Sequence, residues 1–113
     1  MEYDLKVYEA KNGKVPFYEW LDDLDSTTRQ RIRVRITRLR HGNFSNCDPI
    51  GEAATEAKLD FGAGYRIYFF IMDPKILLLF GGSKRRQSKD IAKALEFLKD
   101  YEIYNKSKRY QND

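Results

Sequence analysis

Three cations, Lys58, Arg66 and Lys84, and one phenol, Tyr68, are the side chains whose types and placement could perform chemistry in this sequence. Lys58 lies in "TEAKLDF", Arg66 and Tyr68 alternate in "GYRIYF", and Lys84 opens the cationic run of "GGSKRRQSKD", which also holds Arg85, Arg86 and Lys89. A set lacking His, Cys and a pair of carboxylates suits a reaction whose substrate brings its own nucleophile. Cleavage of RNA through its 2′-hydroxyl is such a reaction. A base removes the 2′ proton, cations stabilise the charge growing on phosphorus, and an acid protonates the leaving 5′ oxygen. Lys58 or Lys84 can act as base where neighbouring cations lower its pKa, Arg66 can clamp the phosphate, and Tyr68 can stack a nucleobase or donate a proton. Arg85, Arg86 and Lys89 would add contacts to the RNA backbone. Structural roles compete with this reading: Arg66 and Asp60 also make a plausible cross-strand ion pair, and Lys58 a solvent-facing strand residue.

These residues need a hairpin to bring them together. "TEAKLDF" (55–61), the turn "GAG" and "YRIYFFIM" (65–72) alternate apolar and polar side chains as two paired strands do. A turn at Gly62–Gly64 would set Phe61 against Tyr65, Asp60 against Arg66 and Lys58 against Tyr68. Glu56, Lys58, Asp60, Arg66 and Tyr68 then share one polar face and form a shallow site. "ILLLF" (76–80) is short and apolar on both faces, as a central strand is. The following Gly81-Gly82 would let the backbone turn out of that strand, with Lys84 emerging beside the polar face.

The other elements frame this hairpin. Residues 3–10 alternate before the turn "KNGK" and predict a strand. Pro16 starts a short helix over 15–24, with Phe17, Trp20, Leu21 and Leu24 on one side. Asp25 or Ser26 caps a second helix carrying Ile32, Ile36 and Leu39 as its stripe and ending at Gly42-Asn43. Residues 43–54 read as a loop. Ser88 is the expected N-cap of a last helix over 88–104, leaving 105–113 as a frayed basic tail. Tyr101 and Tyr104 either pack that helix on the sheet or lie beside the site. The expectation is an α+β domain of order βααβββα, with 1–113 as a single unit.

Composition narrows the function classes. The chain has 113 residues, enough to bury roughly two-thirds of its unfolded surface in one core. No apolar stretch approaches the length of a membrane span, and the N-terminus lacks a signal-peptide pattern, so no membrane association and a cytoplasmic location are expected. Cys47 is the one cysteine and His41 the one histidine, which leaves no disulfide and no ordinary metal site to expect. His41 fits a helix C-terminus better than a catalytic role. The net charge of +4 is unevenly spread: residues 26–41 hold six arginines and no acid, and residues 81–113 hold nine cations against five anions. Such blocks suggest a polyanion or an acidic protein partner, although the arginine helix also reads as a solvated face.

"PFYEWLDDL", "RIRVRITRLRHGNF", "GYRIYF" and "LLLFGGSKRRQSKDIAKA" together resemble, in the same order, the RelE/ParE toxin superfamily, in particular its HigB-like group of addiction-module killer proteins. The resemblance covers about residues 15–104. It implies two N-terminal helices on a twisted, mainly antiparallel sheet with a C-terminal helix. It also implies a type II toxin, an mRNA interferase that cleaves mRNA on the ribosome without metal or other cofactor. A cognate antitoxin, commonly of helix-turn-helix type, would neutralise it and link it indirectly to operator DNA. Arg66, Lys84 and Gln87 match the group's pattern. Glu56-Ala57-Lys58 stands where the group usually has Glu-Leu-Arg, and "GGSKRRQ" where it usually has GGDKSTQ. Two other outcomes stay open: a ParE-like poison of DNA gyrase acting by protein binding, and a degenerate toxin that retains only antitoxin binding.

Overall fold

A computed structural model describes residues 2–51 and 54–111, with side chains as far as residue 105. Its elements are β1 (Asp4–Val7), α1 (Pro16–Asp22), α2 (Ser26–Arg40), β2 (Cys47–Gly51), β3 (Ala54–Leu59), β4 (Tyr65–Met72), β5 (Lys75–Ser83), a 3-10 turn (Lys84–Arg86) and α3 (Gln87–Gln111). The strands form one sheet in the order β1-β5-β4-β3-β2, with β1 parallel to β5 and the other pairs antiparallel.

Local signals set the helix ends. Pro16 occupies the first position of α1, where its missing N–H costs nothing. Asp25 caps α2 by accepting the Thr28 amide and hydroxyl. At the other end of α2, His41 is the C-cap. Gly42 adopts φ 84°, and the Gly42 and Asn43 amides close back on the Leu39 and Arg38 carbonyls, the pairing of a Schellman motif.

The sheet is covered on both faces. Phe17, Leu21, Ile32, Ile36 and Leu39 of α1 and α2 pack on Ala57, Leu59, Ile67, Phe69, Ile76 and Leu78. On the opposite face, Ala94 and Leu98 of α3 pack on Tyr68, Leu77 and Leu79. The run "ILLLF" therefore feeds both cores, Ile76 and Leu78 one way and Leu77 and Leu79 the other, as an interior strand requires.

Four expectations need correction. Residues 43–54, read as a loop, contain the edge strand β2, so the order is βααββββα. Pro49 misled because a missing N–H is tolerated on an edge strand, and here the pairing shifts register between Pro49 and Gly51. The β3–β4 hairpin is offset by two residues from the expected register: Leu59 pairs with Tyr65, Lys58 with Arg66 and Glu56 with Tyr68. Its turn is longer than "GAG", with Gly62 and Gly64 both at positive φ. A two-residue offset preserves the strand faces, so the grouping of side chains survives. Ser88 does not cap the last helix, which begins at Gln87 after the 3-10 turn. That helix also passes the expected end at residue 104 and reaches Gln111, while the side chains of the basic tail's 106–113 lie outside the described residues.

Gly81 and Gly82 serve a purpose other than turning. Both remain in β5, where a Cβ on Gly81 would collide with the Trp20 ring of α1 and one on Gly82 with the Asp90 carboxylate of α3. The pair lets a helix from each layer seat directly on the strand. The chain after them is thereby held at the end of the sheet.

Candidate functional site

Lys84 leaves β5 against the hairpin turn. Its amide donates to the Gly64 carbonyl at 2.8 Å, and its Cβ lies so near the Gly64 Cα that a side chain there would crowd it. Arg66 approaches the same glycine from β4, its Nη1 donating to the Gly64 and Tyr65 carbonyls at 3.2 Å each. Gly64 is thus where the Lys84 and Arg66 segments meet, and φ 71° suits a glycine there. Lys84, Arg85 and Arg86 are exposed on the 3-10 turn, and Lys89 is exposed in the first turn of α3. The cationic run is a surface feature of one end of the sheet.

Beneath it lies a buried polar cluster that pattern reading did not anticipate. Glu56 is 2% exposed and accepts both contacts of the Gln87 Nε2, at 3.0 Å to Oε1 and 2.8 Å to Oε2. The Arg66 Nε stands 3.9 Å from the Glu56 Oε2. This carboxylate therefore joins β3, β4 and the start of α3, and Gln87 directly follows the cationic turn. Asp90, above Gly82, is also buried; burial raises its carboxyl pKa, with the Arg86 charge and the Ser83 amide acting in the opposite sense. Glu56 was legible as a member of the polar face and Gln87 as part of the family motif. Nothing in the spacing linked the two, because the contact spans thirty-one positions.

Two proposed catalytic roles do not fit their surroundings. Tyr68 has no exposure, lies under α3 among Leu77, Leu79, Ala94 and Leu98, and its hydroxyl meets no hydrogen-bond partner among the described residues. Burial and then the charges of Glu56 and Asp90 push its pKa upward. It can neither stack a nucleobase nor release its proton readily, because the face expected to be open is roofed by a helix. Lys58 is held by Asp48 of β2, Nζ to Oδ2 at 2.7 Å. That hydrogen bond and its charge raise the Lys58 pKa, the opposite of what a base near neutrality needs. The strand missed at 47–51 is what supplies Asp48. Asp60 does not pair with Arg66 either; it accepts the Asn46 Nδ2 at 3.2 Å.

The arginines of α2 are less solvated than their density suggests. Arg29 donates to the Leu24 carbonyl at 2.7 Å and Arg40 pairs with Glu2 at 3.6 Å, while buried Arg35 donates to the Ser45 carbonyl and, at 3.5 Å, to the Cys47 Sγ. His41 caps the helix through its backbone. Tyr101 packs against the α3-side core with the Lys6 ammonium 5.2 Å from its ring centre, and Tyr104 is half exposed. Among the described residues no three His, Cys, Asp or Glu side chains are grouped to hold a metal, and no helix is long and apolar enough to cross a membrane.

Three helices around a five-stranded mixed sheet with this connectivity define a RelE-like fold. The chain superposes on a double arginine-to-alanine mutant of the Escherichia coli toxin RelE in its free state with a TM-score of 0.63. The match covers 85% of this chain and 97% of that one, at 18% identity. No family model matches the sequence. Over 80 residues it is 36% identical to an uncharacterized protein of Haemophilus influenzae, covering 69% of this chain and 81% of that protein, and it belongs to the same family.

Proposed function

We propose that this protein is the toxin of a type II toxin–antitoxin pair and that it acts as a ribosome-dependent endoribonuclease, of the HigB-like kind within the RelE/ParE superfamily. The observation that carries the reading is the convergence of Lys84 and Arg66 on Gly64, with Arg85 and Arg86 exposed on the same turn. An RNA strand laid across this end of the sheet would meet Lys84, Arg85 and Arg86 at its phosphates, with Lys89 one helical turn away. Lys84 then takes the base role at the 2′-hydroxyl that Lys58 is poorly placed to fill, the arginines stabilise the charge on the phosphorane, and solvent water at this open surface protonates the leaving 5′ oxygen. Arg66, anchored by Glu56 and two carbonyls, sets the position of the Gly64 turn and adds positive potential. The RelE-like fold supports the toxin class, and the antitoxin would be a helix-turn-helix protein acting in the cytoplasm, with operator DNA reached only through it.

The test is cleavage of end-labelled mRNA on purified translating ribosomes. The parent protein should cut within the translated frame, and Lys84→Ala should slow the cut by about 10²-fold or more, the usual contribution of an acid–base group. An undiminished Lys84→Ala variant would refute the assignment. A second reading, a toxin fold that binds its antitoxin without cutting RNA, is favoured by the burial of Tyr68 and the Asp48–Lys58 pair. It predicts no cleavage by the parent under the same conditions.

A further inference from the structure

Strand β1 follows β5 only part of the way. Their pairing ends with Val7 opposite Leu78, the Tyr8 amide closes on the Leu78 carbonyl, and the chain then leaves for the turn before α1. Among the described residues no strand flanks positions 80–83 on that side. Helices α1 and α3, which cover opposite faces of the sheet, straddle this bare edge and leave an open cleft of about 560 Å³ between them.

Three aromatic rings line the cleft. Trp20 of α1 lies on Gly81, while Phe80 of β5 and Phe97 of α3 meet edge to face with ring centres 5.6 Å apart. All three are half-buried, so each keeps apolar area that a flat ligand would take out of water. The polar part of the lining is divided by sign. Glu19 and Asp23 stand on α1, Lys93 on α3 and Lys14 on the loop before α1, and among the described residues none of the four takes part in an ion pair.

Charge joins this cleft to the Lys84 turn. Arg86, Lys89 and Lys93 recur at three- and four-residue steps, which sets them in one row along about 10 Å at the start of α3, and Phe97 is the next member of that row. The three cations are exposed, and the Lys93 ammonium lies 5.9 Å from the centre of the Phe97 ring. A polyanionic strand leaving the turn along this row meets one cation after another and arrives at the aromatic rings. Phosphates suit the row and a base suits the rings, an alternation that belongs to single-stranded nucleic acid.

We infer that the cleft between α1 and α3 is a stacking seat for a nucleobase of the RNA strand beside the bond cut at Lys84, with Arg86, Lys89 and Lys93 holding the intervening phosphates. The seat rests on the ribonuclease reading for the strand that occupies it. With the backbone on the α3 side, the outer edge of the base meets the α1 wall. There the Glu19 and Asp23 carboxylates accept from the exocyclic amines of adenine or cytosine and repel the carbonyl oxygens of uracil.

Trp20 is the one tryptophan of the chain, so its emission reports on the cleft directly. An adenine RNA of about six nucleotides, methylated at every 2′ oxygen so that it cannot be cut, should quench that emission to saturation at low salt. The quenching should follow the binding seen by anisotropy of a labelled copy. A strand of the same length without bases should leave the emission unchanged, and a uracil strand should bind more weakly than the adenine one. Lys93→Glu, a change at an exposed position whose fold thermal melts can confirm, should weaken the adenine strand by about tenfold. No binding, binding with unchanged Trp20 emission, or equal binding to Lys93→Glu would overturn the proposal. So would quenching by adenosine monophosphate at the same concentration, because the cleft would then serve free nucleotides. Cleavage of mRNA on ribosomes by a protein whose Trp20 ignores the strand would remove the seat and keep the ribonuclease; quenching in a protein that cuts no mRNA would do the opposite.

Discussion

Replacing Gln87 by Ala removes the two contacts that the Glu56 carboxylate makes from within a nearly closed site. A hydrogen bond to a charged group contributes about 1.5–3 kcal/mol, and leaving the buried acceptor unsatisfied adds to the loss. Both contacts come from one amide nitrogen, so they count as little more than one strong bond, and the expected cost is about 2–4 kcal/mol. For a chain of this size, each kcal/mol lowers the melting temperature by about 4 °C, so a drop of roughly 8–16 °C is expected. Urea titration followed by far-UV circular dichroism gives the free energy directly. A double-mutant cycle with Glu56→Ala should then recover a coupling of about 2 kcal/mol, because the groups act on each other. A Gln87→Ala cost below about 0.5 kcal/mol, or strict additivity in the cycle, would refute the claim that Glu56 and Gln87 lock the cationic turn to the sheet.

Gly82→Ala places a methyl group against the Asp90 carboxylate, and overpacking of this kind costs about 1–3 kcal/mol; Asp90→Ala in the same chain should return part of the loss, read by thermal melts. The effect of Asp90→Asn should depend on pH. The folded-state pKa of Asp90 is raised above its unfolded value, so the ionised carboxylate costs stability at neutral pH and the cost disappears as pH falls through the folded pKa. The Asn variant should therefore match the parent near pH 3 and exceed it at pH 7 in paired melts, whereas an advantage confined to the acidic end would contradict the burial argument. Asp48→Asn should let the Lys58 pKa fall back toward its ordinary value, measured by NMR titration of the lysine side chain; an unchanged pKa would mean that Asp48 is not what holds it.

Much of the frame was legible because its signals are local. Pro16, the Asp25 cap and the Gly42-Asn43 stop sit within a few residues of the helix ends they set. The face shared by Glu56, Lys58, Arg66 and Tyr68 followed from strand parity, and it survived a wrong register because the offset was an even number of residues. What that face looks onto was not legible. Nothing in the alternation of β4 says that α3 returns to cover Tyr68, so a buried tyrosine and a solvent-facing one have the same local pattern. The error at Pro49 had a different origin: turn-forming residues also serve edge strands, and the missed strand carried the acid that neutralises Lys58. Gly81-Gly82 show the same limit, since a turn and a close helix approach both call for glycine, and only the positions of Trp20 and Asp90 separate them.

We propose that the Lys84–Arg86 turn makes this protein a ribosome-dependent ribonuclease. The most direct test is induction of the chain in cells without an antitoxin, with the 5′ ends of all transcripts mapped. New ends are expected at fixed codon positions inside translated frames, with none in untranslated RNA, and they should be lost in Lys84→Ala. Intact transcripts accompanied by gyrase-linked DNA breaks would contradict the proposal.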